Sequence, residues 1–197
     1  MTAMRGMRPV AFVLATLAVS SPAAAETWRE YSYPGSFFTV RFPAQPTYET
    51  TTYQTAEGVP VEARVYSLLQ NDSVLRMLVA DLSAVKTDEA AVIGHAIQGL
   101  SERGEVKLDI PHRINRVYGR QLSIQGSDGS HSSAAVFYYR HRLYQIEGIA
   151  LPNGTDATAD AIRFQQSLTF LNGYANRPPV EALPEPQRRF FDSELNR

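Results

Sequence analysis

The chain has 197 residues, 44% of them hydrophobic, with 10 Tyr, 9 Phe, no Cys and a net charge of −1. The lack of cysteine excludes disulfides, a thiolate nucleophile and cysteine-ligated zinc. It also excludes the lipid anchor of a bacterial lipoprotein, which needs a Cys at its cleavage point. A near-neutral balance gives no support to a nucleic-acid partner, which requires a basic surface.

Residues 1–25 read as a secretory signal peptide. Arg5 and Arg8 make a positive start, Val10 to Val19 form a short apolar run, and Ala23 and Ala25 place small residues just before Glu26. The run is too short to span a bilayer, which takes about 20 apolar residues. Arg5 and Arg8 are not adjacent, which argues against a twin-arginine route. The expectation is a Sec-type signal cleaved between Ala25 and Glu26, a periplasmic or secreted protein, and no membrane span in the mature chain. Residues 26–197 then carry 17 basic and 20 acidic groups. They divide into one globular domain over 26–172 and a tail over 173–197.

After an N-terminal segment from Trp28 to Tyr33, Gly35 opens a strand with Phe38, Val40 and Phe42 on one face, ended by Pro43. Tyr48 to Gln54 is the next strand. Val61 to Leu69 and Val74 to Leu82 form a hairpin about Asn71-Asp72, which sets Val65 opposite Leu78 and Tyr66 opposite Met77. Large apolar groups fall on both faces, so the sheet is to be covered on both sides. Asp88 to Arg103 reads as a helix capped by Thr87, with Gly104 as a left-handed terminus and one stripe of Val92, Ile93, Ala96, Ile97 and Leu100.

The second half is a meander. Val106 to Ile114, interrupted by Pro111, is an edge strand. Tyr118 to Gly126 and His131 to Tyr139 flank Asp128-Gly129, a hairpin signal. A two-residue turn there sets Leu122 opposite Ala135 and Arg120 opposite Phe137. A second hairpin about Arg140-His141 pairs Phe137 with Tyr144 and Ala135 with Ile146. Together the two registers put Leu122, Ile124, Ala135, Phe137, Tyr144 and Ile146 on one face. A helix from about Asp156 to Leu168 follows, with a seam of Ala157, Ala161, Phe164 and Leu168. The tail holds Pro178, Pro179, Pro184 and Pro186, then Arg188-Arg189-Phe190-Phe191. It reads as an extended arm whose Phe190 and Phe191 dock on a partner.

Few residues suggest chemistry. Asp128 and His131 share one turn, but two ligands do not complete a metal site, and Asp128 is expected to cap its own hairpin. Glu62 and Asp81 lie opposite each other in the hairpin register. Buried together they would form an acid/base pair, whereas the adjacent Arg64 favours a structural ion pair. Arg120 shares a face with Leu122 and Ile124, as an ion-paired arginine or an anion contact. No nucleophile elbow, H-E-x-x-H or S-x-x-K pattern is present. Arg120, Asp128, His131, Phe190 and Phe191 are therefore the candidate binding residues. No catalytic residue, cofactor or metal is assigned.

The run Gly35-Ser-Phe-Phe-Thr-Val-Arg-Phe-Pro-Ala-Gln-Pro46 resembles the opening of small bacterial domains related to PsbP, the lumenal photosystem subunit. Phe137-Tyr-Tyr-Arg-His-Arg-Leu-Tyr144 and the closing stretch from Phe164 to Phe170 are similar in layout, although Arg140-His141-Arg142 replaces the usual glycine-bearing turn. The resemblance implies an α+β domain, a PsbP-like sandwich. Its largely antiparallel sheet of about six strands is covered by helices on both faces, in agreement with the pattern above. It also implies a non-catalytic accessory or binding protein, and transfers no functional residue. The expected partner is another periplasmic protein. The alternatives are a small hydrolase built from scattered groups such as Asp81, His131 and Ser133, and a metal-binding module.

Overall fold

The computed structural model describes residues 27–152, 154 and 157–171. The signal segment, the capping of the second helix and the tail with Phe190 and Phe191 lie outside the described residues. Ten strands and two helices follow in order. They are β1 (Arg29–Tyr33), β2 (Phe38–Phe42), β3 (Thr47–Gln54), β4 (Pro60–Leu69), β5 (Ser73–Asp81), α1 (Glu89–Ser101), β6 (Gly104–Ile114), β7 (Val117–Gly126), β8 (His131–Tyr139), β9 (Arg142–Ala150), α2 (Ala157–Gln165) and β10 (Thr169–Phe170). A seven-stranded antiparallel sheet runs β3-β4-β5-β9-β8-β7-β6, and a separate three-stranded sheet runs β1-β2-β10.

This corrects the expected α+β domain with some six strands and helices on both faces. Strand makes up 55% of the described residues and helix 18%. Only α1 lies on one face of the large sheet, where Val92, Ala96 and Leu100 pack on Ala63, Ala80, Leu122 and Val136. The other face is shared between the small sheet and α2, which lies against β5, β8 and β9. Phe38, Val40 and Phe42 pack there on Tyr66, Met77, Phe137, Tyr144 and Ile146, with Phe164 of α2 beside them. The reason is one of size. At 13 and 9 residues, the helices are about 20 Å and 14 Å long, short of the roughly 29 Å across seven strands. The residues read as isolated strands at the start of the chain supply the missing cover.

The hairpin about Asn71-Asp72 forms as its pattern predicts, with Val65 opposite Leu78 and Tyr66 opposite Met77. The turn at Arg140-His141 also holds, with Phe137 opposite Tyr144 and Ala135 opposite Ile146. Both turn residues take left-handed backbone, φ 50° and 56°, the geometry of a two-residue hairpin turn. The Arg140 guanidinium lies 4.5 Å from the centre of the Phe37 ring, a cation–π contact that ties the turn to the small sheet.

The β7–β8 register differs from expectation by one residue. Leu122 faces Ala134, Arg120 faces Val136, and Phe137 faces Gly119. The Gly126 N–H donates to the Ser130 carbonyl at 2.9 Å, and Gly129 has φ 89°. The loop is thus the three residues Ser127-Asp128-Gly129, with the glycine in the left-handed position that such loops require. The slip divides the predicted single apolar face. Leu122, Ile124, Ala134 and Val136 point towards α1, and Ala135, Phe137, Tyr144 and Ile146 towards the small sheet.

Two helix-end assignments also change. Asp88, not Thr87, caps α1, its carboxylate accepting from the Ala91 N–H at 3.0 Å. Gly104 opens β6, where a Cβ would overlap the Gln125 carbonyl on β7. Its glycine character serves close strand approach instead of a helix terminus. β6 is an edge strand as predicted, and its pairing shifts between Val106 and Leu108. A bulge and a proline both blunt an exposed edge.

Candidate functional site

An open groove of about 780 Å³ lies between α1 and the β6–β7 edge. Its floor and walls are apolar, from Ile93 and Ile97 of α1, Pro111 of β6 and Tyr118 of β7. The sequence stripe of α1 explains how this arises. Val92, Ala96 and Leu100 are fully engaged in the core, whereas Ile93 and Ile97 are only partly buried and face the groove. Tyr118 is 63% exposed. Glu89 and Tyr118 also border a second hollow of about 500 Å³ that runs on past Asn115, Arg116 and Tyr138.

Gly94, on the wall of this groove, has no atom within 4 Å of where a Cβ would sit. No packing among the described residues demands a glycine there, and one mid-helix costs about 0.5–1 kcal/mol relative to Ala. The missing side chain deepens the groove beside the helix. Charge rims the groove unevenly. Asp88, Glu89 and Asp109 stand against the single cation Arg120, whose Nε donates to the Asp109 carboxylate at 2.8 Å. That pairing holds the guanidinium charged and leaves a net negative rim.

Of the residues singled out by sequence, Arg120 is the one in this groove, as an ion-paired arginine. Asp128 lies elsewhere and serves its own turn. Its carboxylate accepts the Ser130 N–H at 2.9 Å, and the Ser130 side chain and backbone together lower its pKa. His131 does not meet Asp128. Its Nδ1 lies 3.1 Å from Gln125 Oε1 and its Nε2 3.1 Å from Ser123 Oγ. Gln125 Nε2 donates to the Ser130 carbonyl, so Oε1 is the atom turned to the ring. Nδ1 is therefore the donor and Nε2 accepts from the Ser123 hydroxyl. The order of groups is that of a serine–histidine relay, but a neutral amide stands where a carboxylate would stabilise an imidazolium. The chain of bonds ties β7 to β8.

The scattered hydrolase trio does not assemble. His131 is level with Ala150 and Ser73, whereas Asp81 is level with Arg142 at the other end of the same strands. Eight residues of strand separate the two levels, about 27 Å. Ser133, nearly buried, pairs with Ser123 and Gly148. Glu62 and Asp81 do border one small cavity, but each has a cation. Arg64 lies 3.6 Å from Glu62, and Arg142 lies 3.1 Å from Asp81. Hydrogen bonding from Ser83, with Arg142 nearby, lowers the pKa of Asp81, the opposite of what a proton-donating acid at neutral pH needs. Among the described residues no three His, Asp or Glu side chains converge in a way that could hold a metal ion. No helix there is long and apolar enough to cross a membrane.

The sequence reading missed Ile93, Ile97, Gly94 and Tyr118 as site residues. A glycine inside an otherwise regular helical stripe was the available signal.

These features define a mostly β, two-sheet domain with an apolar groove beside helix α1. No protein-family model matches the chain, and no curated protein matches it by sequence. Among solved structures it is similar to the cyanobacterial PsbP protein (CyanoP) from Synechocystis sp. PCC 6803. The TM-score is 0.50 at 14% identity, over 78% of this chain and 98% of that one. A protein of unknown function from Pseudomonas aeruginosa, PA94, titled a putative regulator, aligns with a TM-score of 0.40 and 9% identity, over 77% of this chain and 99% of that one. The likeness to CyanoP is one of fold alone, and agrees with the PsbP-like layout read from Gly35–Pro46 and Phe137–Tyr144.

Proposed function

We propose that this protein is an exported, non-catalytic binding module whose α1/β6–β7 groove receives an apolar segment of another periplasmic protein. The observation that carries the reading is the groove itself, with half-buried Ile93 and Ile97 beside a helix glycine that no other described residue fills. Exposed contiguous apolar surface of this kind marks an interaction site. The acidic rim selects a segment that carries Lys or Arg, because opposite charge steers and orients docking. Phe190 and Phe191 are proposed as a second contact to the same partner.

Peptides selected from a display library against the exported protein test this. The expected binders are apolar with basic flanks, shift the amide resonances of α1, β6 and β7, and lose affinity with Gly94→Arg. That variant places bulk and positive charge in the groove without touching the core. Selected peptides that map elsewhere, or that ignore Gly94→Arg, would overturn the reading. N-terminal sequencing tests the export, with Glu26 as the expected first residue.

A further inference from the structure

The small sheet leaves one corner of the large sheet's second face uncovered. The row Tyr66, Arg64, Glu62 runs along β4 on the face that packs on the small sheet, with Val79 and Asp81 of β5 and Arg142 of β9 beside it. Past Val79 the apolar cover ends, and Gly35 and Ser36 overhang a pocket of about 80 Å³ bounded by Glu62, Arg64, Asp81 and Arg142. Arg64 is also a wall of an adjoining hollow of about 400 Å³, lined by Tyr33, Tyr48, Thr50 and Tyr66. The two hollows adjoin at Arg64 and make a bipartite cleft, aromatic on one side of that side chain and charged on the other.

Its parts have separate properties. Tyr48 is 71% exposed, and its ring lies 6.1 Å from that of Tyr66 at a tilt of 35°. Tyr66 is buried and packs on Tyr33 at 4.2 Å. The stack holds a firm ring surface at the mouth, apolar on its face and polar at its hydroxyl. At the other end the four charges cancel as two pairs, Glu62 with Arg64 and Asp81 with Arg142. A carboxylate beside a guanidinium offers acceptors and donors side by side, which suits adjacent hydroxyl groups. A phosphate or carboxylate ligand gains little there, since both guanidiniums already face an anion.

We infer that this cleft binds a neutral saccharide of one or two rings, its C–H face on Tyr48 and its hydroxyls on Arg64 and Glu62. The aromatic hollow alone, at about 400 Å³, is near the lower end of the roughly 300–1,000 Å³ of small-molecule sites. The cleft lies on β3–β4, at the opposite edge and on the opposite face from the α1 groove. Its failure and the failure of the partner groove are therefore independent.

Titration of the 15N-labelled exported protein tests this, using cellobiose, maltose and N,N′-diacetylchitobiose, with glucose 6-phosphate as the anionic comparison. At least one neutral disaccharide is expected to shift the amides of residues 35–37, 48–50 and 62–66 along a saturable curve. Tyr48→Ala should weaken that binding about tenfold, Tyr48→Trp should retain it, and Arg64→Gln should weaken it. Because Tyr48 is largely exposed, its variants should keep the thermal midpoint of the parent. No saturable shift with any of the three disaccharides, shifts confined to other surfaces, or tighter binding of glucose 6-phosphate would each overturn the assignment.

Discussion

Gly119 on β7 lies directly opposite Phe137 on β8, and the Phe137 ring fills the space in front of the glycine. A Cβ at residue 119 would overlap both that ring and the Val136 carbonyl. His112 on β6, opposite Gly119 on its other side, meets the same ring at 5.6 Å between centres. The glycine is thus a gap through which one aromatic side chain spans three strands.

Gly119→Ala is expected to destabilise the fold by about 1–3 kcal/mol, the usual effect of forcing atoms into a packed core. Gly99→Ala should act in the opposite sense. It lies in α1, has open space around it and lacks positive φ, so the gain is about 0.5–1 kcal/mol from helix propensity. Urea unfolding of both variants checks the pair, and equal effects would show that the local space had been misjudged.

The Tyr144 hydroxyl donates to the Ser36 carbonyl at 2.9 Å inside the interface between the two sheets. Tyr144→Phe keeps the packing but leaves that carbonyl without this donor. The expected loss is about 1–2 kcal/mol, and Phe137→Ala, which opens a cavity beside it, should cost about 3–5 kcal/mol. Chemical denaturation orders the two, with Phe137→Ala the larger.

Glu147 is 1% exposed, and its carboxylate meets the half-exposed Arg103 guanidinium at the end of α1. Arg103→Met removes the cation and strands a buried negative charge, at a cost of about 3 kcal/mol, the low end for a broken buried pair. The double variant Arg103→Met, Glu147→Leu should recover most of that. A double variant no more stable than Arg103→Met would show that the stranded charge is not the cause.

Alkaline conditions should weaken the fold through the partly buried Tyr33 and Tyr53 and the buried Tyr144. Burial pushes Tyr33 and Tyr53 up to about 12, with Tyr66 adding to the shift at Tyr33, and burial raises Tyr144 as well. In the unfolded chain these phenols ionise near their ordinary value of about 10. The unfolded state therefore sheds protons first. The stability these groups contribute is whole below about pH 10 and is lost as pH rises through about 12. Phenolate absorbance should show a late-titrating group, and the urea midpoint should fall over the same range. All tyrosines titrating together near 10 would contradict the burial described.

Local signals reached far into this fold. Alternation and turn chemistry located every strand from β2 to β9. The Asn71-Asp72 and Arg140-His141 turns set their registers because each is closed by just two residues. Asp128-Gly129 misled, since the same pair also ends a three-residue loop with the glycine left-handed. With apolar groups on both faces, the pattern of Leu122 to Ile124 against Ala134 to Phe137 tolerates either register. The loop geometry, not the hydrophobic pattern, chose between them.

What covers the second face was beyond local reading, because the pairing of β10 with β2, Thr169 with Thr39, joins residues more than a hundred positions apart. The site was only partly legible for the same reason. Arg120 stood out as a charge among apolar neighbours, but α1 presents Val92, Ile93, Ala96 and Ile97 as one stripe. Only its seating on the sheet decides that Val92 and Ala96 are core and that Ile93 and Ile97 line a groove. Sequence periodicity specifies which side of an element is apolar. How far that side is covered depends on the length and placement of what packs against it, and these are properties of the assembled chain.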